Sequence, residues 1–218
     1  MNLYCERLLA LAGNLYKASK RCLDVLAASI AMIVFAPLML VVAIVVRIFM
    51  GSPVIFRHPR PGLNEMTFPC LKFRTMTNTV DHFGALLPDA QRLTRLGVFL
   101  RNSSLDELPQ LWSVLIGDMS LVGPRPLEVR YLDRYSEVQR RRQTVKPGIT
   151  GWAQVNGRNA IDWDLKLALD VWYVEHCGLI LDLKILVMTV SRVLTGTGVS
   201  RAGQVSMDEF FGATIRKD

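Results

Sequence analysis

Histidine and cysteine are scarce in this chain, three and four in 218 residues, and neither type clusters. His58, His82 and His176 stand far apart, so a zinc site has no support. Cys5, Cys22, Cys70 and Cys177 form no C-x-x-C pair, and reduced thiols are the default reading. There is no Walker loop and no strand-linked G-x-G-x-x-G, which removes the common nucleotide-binding folds. Internal repeats and low-complexity tracts are missing too. The most telling absence is of charge: residues 25–46, VLAASIAMIVFAPLMLVVAIVV, carry none.

An unbroken helix over that stretch would rise ~33 Å and could cross a bilayer. Pro37 lies near its midpoint. Proline removes a backbone bond and clashes with the preceding turn, so a sharp bend at Ala36 and Pro37 is the alternative, with arms of roughly 16 Å each. Lys17, Lys20 and Arg21 precede the stretch, with Asp24 the one nearby acid, and Arg47, Arg57 and Arg60 follow it. A spanning helix normally has its basic excess on one side, whereas basic flanks on both sides fit a re-entrant segment with both ends cytoplasmic. The stretch is long for a core helix, and it starts too late and runs too long for a cleaved signal peptide. The chain is read as membrane-attached. Its net charge of +7 then points to an anionic membrane surface or diphosphate substrates rather than nucleic acid.

The expected organisation is a weakly amphipathic tail over 1–19, a membrane segment over 20–50, one compact domain over 51–195 and a loose tail over 196–218. The fold class is α+β, helix-rich, with a few short strands and interfacial helices. Residues 53–56 and 66–76 read as strands, and Lys72 and Arg74 would share a strand face. Residues 77–90 read as a polar loop, 91–101 as helical, and 162–176 and 181–194 as helices. The last carries apolar positions that suit either core packing or the membrane interface.

The strongest chemical cluster is RNSSLDELPQLWSVLIGDMSLVGPRP, from residue 101. Ser104 followed three residues later by Glu107 is a capping-box pattern, which would put Asp106 and Glu107 in the first turn of a helix. Exposed amides and the helix dipole would keep a carboxylate ionised there. The two acids could cap the helix or do chemistry, and the pattern alone leaves both open. Pro109 should kink or tighten that turn. Downstream, the turn 123–126 fixes Arg125, and VKPGITGWAQVNGRN carries Lys146, Gln154, Asn156, Arg158 and Asn159 between glycines. Guanidinium forks suit phosphate oxygens, and glycines let backbone amides approach an anion, although such loops are often plain surface turns.

KFRTM at 72–76, LRNSSLDELPQLWSVLIGDMSLVGPRP at 100–126 and VKPGITGWAQVNGRN at 145–159 together resemble the bacterial sugar transferase family, the small monotopic polyprenyl-phosphate phosphoglycosyl transferases. The likeness runs from about residue 20 through LDVWYVEHCGLILDLKIL at 169–186, and it fits the compact form without the extra N-terminal multi-helix domain. It implies transfer of a phospho-sugar from a UDP-sugar to undecaprenyl phosphate with release of UMP, opening glycoconjugate or exopolysaccharide biosynthesis. It also implies Mg²⁺, with Asp106 and Glu107 near the metal, and a place on the cytoplasmic face of the bacterial inner membrane. On that likeness Asp106 is the nucleophile of a covalent intermediate and Glu107 assists with metal or proton. Lys72, Arg74, Arg101, Arg125, Gln154 and Arg158 are the expected substrate-binding groups. Where the family bends its re-entrant helix at Ser-Pro, this chain has Ala36 and Pro37. Two rivals stand beside this reading. A glycosidase needs carboxylates ~5 to 9.5 Å apart across the bond, which adjacent residues hardly supply. A non-catalytic lipid-binding scaffold would release no UMP. Neither the sugar nor the oligomeric state is written in the sequence.

Overall fold

The computed structural model describes residues 3–157, 161–195 and 209–212. It is helix-rich with two small sheets, as the composition leads one to expect. The first element, α1, runs Leu3–Met50 and takes in both the described part of the expected tail and the apolar stretch. Pro37 lies inside it, and the expected break does not interrupt the helix. By length and composition it is the one helix among the described residues able to cross a membrane.

How α1 sits decides what that means. Its inner face is buried at Ala28 on one side of Pro37 and at Val42, Val46 and Met50 on the other. Ala28 packs in a cluster with Phe68, Cys70, Leu111, Val114 and Met119, while the later residues join Phe73 and Leu100. Each fully buried aliphatic side chain of this kind contributes about 1.5–3 kcal/mol. Both arms therefore dock on one domain. The segment between them, residues 33–38, is exposed, and the outer face presents Ile30, Ile33, Val41, Ile44, Ile48 and Phe49. An apolar exterior of that extent suits lipid, not water.

The domain begins with an antiparallel hairpin, β1 (Ile55–Pro61) and β2 (Thr67–Phe73), in which Phe56 faces Lys72, His58 faces Cys70 and Arg60 faces Phe68. These three pairs lie on one sheet face, since strand side chains alternate. The prolines at 59 and 61 are tolerated on this two-stranded edge. A loop leads to the single-turn α2 (Asp89–Arg92) and then to α3 (Arg95–Asn102), whose Thr94 side chain accepts from the amide of Gly97 at 2.9 Å. Next come a 3-10 turn over Leu105–Glu107, α4 (Gln110–Ile116) and β3 (Ser120–Val122). The 3-10 segment Val129–Arg134 precedes α5 (Glu137–Arg140), capped by a full box between Ser136 and Gln139. β4 (Gly148–Thr150) pairs in parallel with β3. Three helices follow: α6 (Trp152–Val155), α7 (Trp163–His176) and α8 (Leu179–Thr195).

The expected loose C-terminal tail is tied down where it is described. Phe210 is buried among Leu127, Tyr131, Tyr135 and Leu167, and Glu209 pairs with Arg134 at 2.9 Å. The rest of 196–218 lies outside the described residues.

Candidate active site

The loop after α3 folds differently from the capping-box expectation. Ser104 takes a left-handed conformation, φ 58°, and its side chain caps nothing. Its backbone carbonyl accepts from the Glu107 amide, closing a 3-10 turn ahead of α4. The physical reason is Pro109, which stands at the N-cap of α4 and cannot continue an α-helical ladder backwards. Asp106 and Glu107 thus precede α4 instead of opening it, and the tightening foreseen at Pro109 is present.

Glu107 is the electrostatic hub. Lys72, from β2, donates to its Oε1 at 2.7 Å. Arg125, from the turn after β3, grips both oxygens, with Nη1 on Oε2 at 3.2 Å and Nη2 on Oε1. This is the planar two-point contact that arginine makes and lysine cannot. Burial alone would raise the Glu107 pKa, but Arg125 and Lys72 overcome it and hold the carboxyl well below the usual carboxylate range. The charge of Glu107 in turn raises the pKa of Arg125.

Asp106 is in the opposite position. It is 5% exposed, and among the described residues its nearest cation is Lys72 at 4.0 Å. Among the described residues no donor lies within hydrogen-bonding distance of its carboxylate. Burial, then the neighbouring Glu107 charge, pushes its pKa up to about 6 against the pull of Lys72, Arg125 and Arg101. The helix start expected to hold it is thus replaced by a buried 3-10 turn in which its pKa is raised. Two adjacent carboxylates with ionisation driven apart are the pattern of a divided acid-base or nucleophilic role.

The remaining cations fall into place unevenly. Arg101 donates to Thr75 Oγ1 at 3.1 Å and lies close enough to act on Asp106. Arg74 does not share the site with Lys72. Beyond the end of β2 its guanidinium turns to the carbonyls of Met76 and Ser52, at 2.7 and 2.9 Å, and it anchors the chain there. Gln154 lies on α6 with both amide atoms buried and, among the described residues, unpartnered. Arg158 and Asn159 lie outside the described residues. The glycines read as an anion cradle serve packing instead. A Cβ on Gly123 would meet Lys146 O at 2.4 Å, and one on Gly148 would meet Gly123 N at 2.1 Å. The amides of Gly123 and Gly148 are spent on Thr150 O and Pro124 O, tying β3 to β4.

Sequence reading missed the supports of the site. Arg60 and His58, on the same hairpin face as Lys72, hold Glu128 at 2.8 and 3.2 Å. Arg142 is fully buried, pairs with Asp170 at 2.8 Å, and donates to the backbone carbonyl of Arg125 at 2.6 Å. The period-two spacing of His58 and Arg60 was a usable signal. Arg142 gave none, since a buried arginine in the basic and polar run QRRRQT at 139–144 looks like any solvated one.

A divalent ion can be tested against this donor set. Among the described residues no cluster of three His, Cys, Asp or Glu side chains exists, and both Glu107 oxygens are engaged by cations. Asp106 has oxygens to offer. Mg²⁺ is usually held by one or two carboxylates plus substrate phosphates and water, so Asp106 with a bound diphosphate fits that habit, and an all-protein site does not.

Comparison with known proteins identifies a family. The family described as bacterial sugar transferase matches residues 15–196, most of the chain. The chain is 52% identical over 194 residues to the uncharacterized sugar transferase EpsL of Bacillus subtilis, covering 89% of this chain and 96% of that protein. It is 42% identical over 193 residues to the UDP-glucose:undecaprenyl-phosphate glucose-1-phosphate transferase of Xanthomonas campestris, covering 83% of this chain and 40% of the relative. It is 38% identical over 196 residues to the UDP-N-acetylgalactosamine-undecaprenyl-phosphate N-acetylgalactosaminephosphotransferase of Aeromonas hydrophila, covering 86% of this chain and 46% of that protein. The chain thus spans nearly all of one relative and less than half of the two larger ones. On these matches the chain belongs to the bacterial sugar transferase family.

Proposed function

We propose that this protein transfers a sugar 1-phosphate from a UDP-sugar to undecaprenyl phosphate, through a covalent intermediate on Asp106, as a first membrane step of polysaccharide assembly. The observation that carries the reading is the unequal pair: Glu107 held ionised by two cations, and beside it a buried, more basic Asp106 whose oxygens, among the described residues, meet no donor. An Asp106 oxygen attacks the phosphorus bearing the sugar. The bond from that phosphorus to the bridging oxygen breaks, and the bridging oxygen leaves with UMP. An oxygen of the lipid phosphate then attacks the same phosphorus and returns Asp106 as a carboxylate. Two successive displacements mean that a water-borne donor and a membrane-borne acceptor need not share the site at once.

A carboxylate of pKa about 6 is ionised at neutral pH and more basic than an ordinary aspartate, which favours it as a nucleophile. Its approach to a diphosphate needs negative charge neutralised, and Lys72, Arg125 and Arg101 are the cations at hand. Mg²⁺, held by Asp106 and the diphosphate, would supply further neutralisation. Glu107 orients Lys72 and Arg125 and keeps them from folding onto Asp106. Gln154 and Arg158 are further substrate-binding groups in this reading, with the Arg158 guanidinium on the diphosphate.

The proposed location draws its support from α1. Both arms beside Pro37 dock on the one domain, which supports a monotopic segment with both ends on the cytoplasmic face of the inner membrane. UMP release from UDP-glucose, UDP-galactose and UDP-N-acetylgalactosamine, with Mg²⁺ and undecaprenyl phosphate, tests the reading. Release from at least one donor, abolished in Asp106→Asn, is the expected result. Release that persists in that variant contradicts it.

A further inference from the structure

Lys20, Arg21 and Asp24 flank the apolar stretch, where charged residues ordinarily meet lipid headgroups. The structure turns all three inward. Arg21 donates through Nη1 to Val114 O at 2.6 Å and through Nη2 to Leu115 O at 2.7 Å. These are among the last carbonyls of α4, where Val114 O accepts from the Gly117 amide as well, at 3.2 Å, and the C-terminal end of a helix favours a cation. Asp24 is buried, and its Oδ1 accepts from the Leu121 amide of β3 at 3.0 Å. Lys20 Nζ and Tyr16 OH both end on Oδ2 of Asp182, at 2.7 and 3.1 Å. The other oxygen of Asp182 accepts from Tyr173 OH at 2.6 Å, and that hydroxyl stands 3.2 Å from Val122 O. Tyr16, Lys20, Asp24 and the wholly buried Ala28 recur at four-residue spacing, which makes one continuous face of α1. Lys17, on another face, is exposed.

What these contacts hold matters more than their number. α4 starts three residues after Glu107, and β3 ends three residues before Arg125. Arg21 grips the far end of the first segment and Asp24 the second. We propose that Arg21 and Asp24 are positioning residues that fix the Asp106 and Glu107 segment against the Arg125 turn. The membrane helix is then a structural half of the active site and not a detachable anchor. This rests on the transferase reading above. A displacement of about 1 Å in such a site can cost on the order of a hundredfold in rate.

The test uses the full chain in lipid nanodiscs, as wild type, Arg21→Gln, Asp24→Ala, Asp24→Asn and Lys17→Gln. Calorimetric titration with UDP and Mg²⁺ counts folded sites, and UMP release is expressed per site. Arg21→Gln and Asp24→Ala should lower kcat per site about tenfold or more, with KM for the donor held within about threefold. Asp24→Asn retains an oxygen that accepts from the Leu121 amide, so it should recover most of the lost kcat, and Lys17→Gln should match wild type. Unchanged kcat per site in Arg21→Gln and Asp24→Ala overturns the proposal, as does an Asp24→Asn no better than Asp24→Ala. If the two damaging variants do not accumulate folded, Asp24→Asn and Arg21→Lys decide. The asparagine should stay near wild type, while the single ammonium, a poor copy of the fork, should fall at least about fivefold. Equal activity in both overturns the idea. A wild type inactive on every donor defeats the transferase reading instead. Hydrogen exchange then reads the clamp alone: Asp24→Ala or, where only it folds, Arg21→Lys should speed exchange over residues 105–108 and 119–126, and unchanged exchange overturns it.

Discussion

At the scale of single residues, the chemistry turns on how differently two neighbours ionise. Glu107 is fixed as a carboxylate by Arg125 and Lys72, and Asp106 is left near pKa 6 by burial and by that fixed charge. Asp106 must be ionised to attack, and its folded pKa is raised, so the competent form is lost as pH falls through about 6. We expect kcat/KM to be level above about pH 7 and to fall with unit slope below about pH 6. A profile that stays flat to about pH 4.5 would mean that no raised carboxyl governs the reaction. The residues of this centre were partly legible in the sequence. Asp106, Glu107 and Arg125 stand in one tract, and Lys72 in a short strand of alternating pattern. Arg74 was misread because the strand ends at Phe73, so the two-residue spacing no longer fixes its direction. Arg142 was invisible because what buries it is Asp170, 28 positions away, and no local pattern encodes such a partner.

At the scale of elements, local signals performed well where they were periodic or capped and failed where tertiary packing chose. The α7 start was readable from Asp162, whose side chain accepts from the Leu165 amide at 2.8 Å. The capping box was read at Ser104, but the functioning box is at Ser136 and Gln139, in a segment with no obvious helix periodicity. The segment around Phe210 is another case of packing over composition. A tail rich in glycine and charge looks loose, yet one aromatic ring finds Tyr131, Tyr135 and Trp163, with ring centroids 5.4–5.7 Å away. Truncating a buried phenylalanine costs about 3 kcal/mol or more. Phe210→Ala should therefore lower the thermal midpoint clearly, while Phe211→Ala, whose ring is largely exposed, should not. Equal midpoints for the two variants would show that the tail is not part of the folded core.

At the scale of the whole molecule, the apolar helix is bound to its domain at both ends of the uncharged stretch. Val46 and Met50 pack beside Phe73 and Leu100, and Arg21 and Asp24 hold α4 and β3. A helix that crossed the bilayer would have to release one of these two sets. Cysteines introduced near residues 15 and 60, in a background without native cysteines, should therefore both be labelled only from the cytoplasmic side. Labelling of either from the periplasm contradicts the monotopic arrangement. The sequence carried the length, the proline and the basic flanks, but not the side to which Lys20 and Arg21 turn, because that depends on Asp182 and on carbonyls some ninety residues distant. It also led to a sharper break at Pro37 than the continuous helix displays.

The central claim is that Asp106 carries the phospho-sugar between donor and lipid. Intact-protein mass spectrometry after mixing the protein with a UDP-sugar it turns over and Mg²⁺, with no lipid acceptor, tests it most directly. The account predicts a mass increase equal to one sugar phosphate, mapped by peptide analysis to Asp106, missing in Asp106→Asn and discharged when undecaprenyl phosphate is added. A wild-type protein that turns over with acceptor present, yet shows no adduct without it or bears one on another residue, would contradict the account and place the transfer in a single ternary complex or on a different nucleophile.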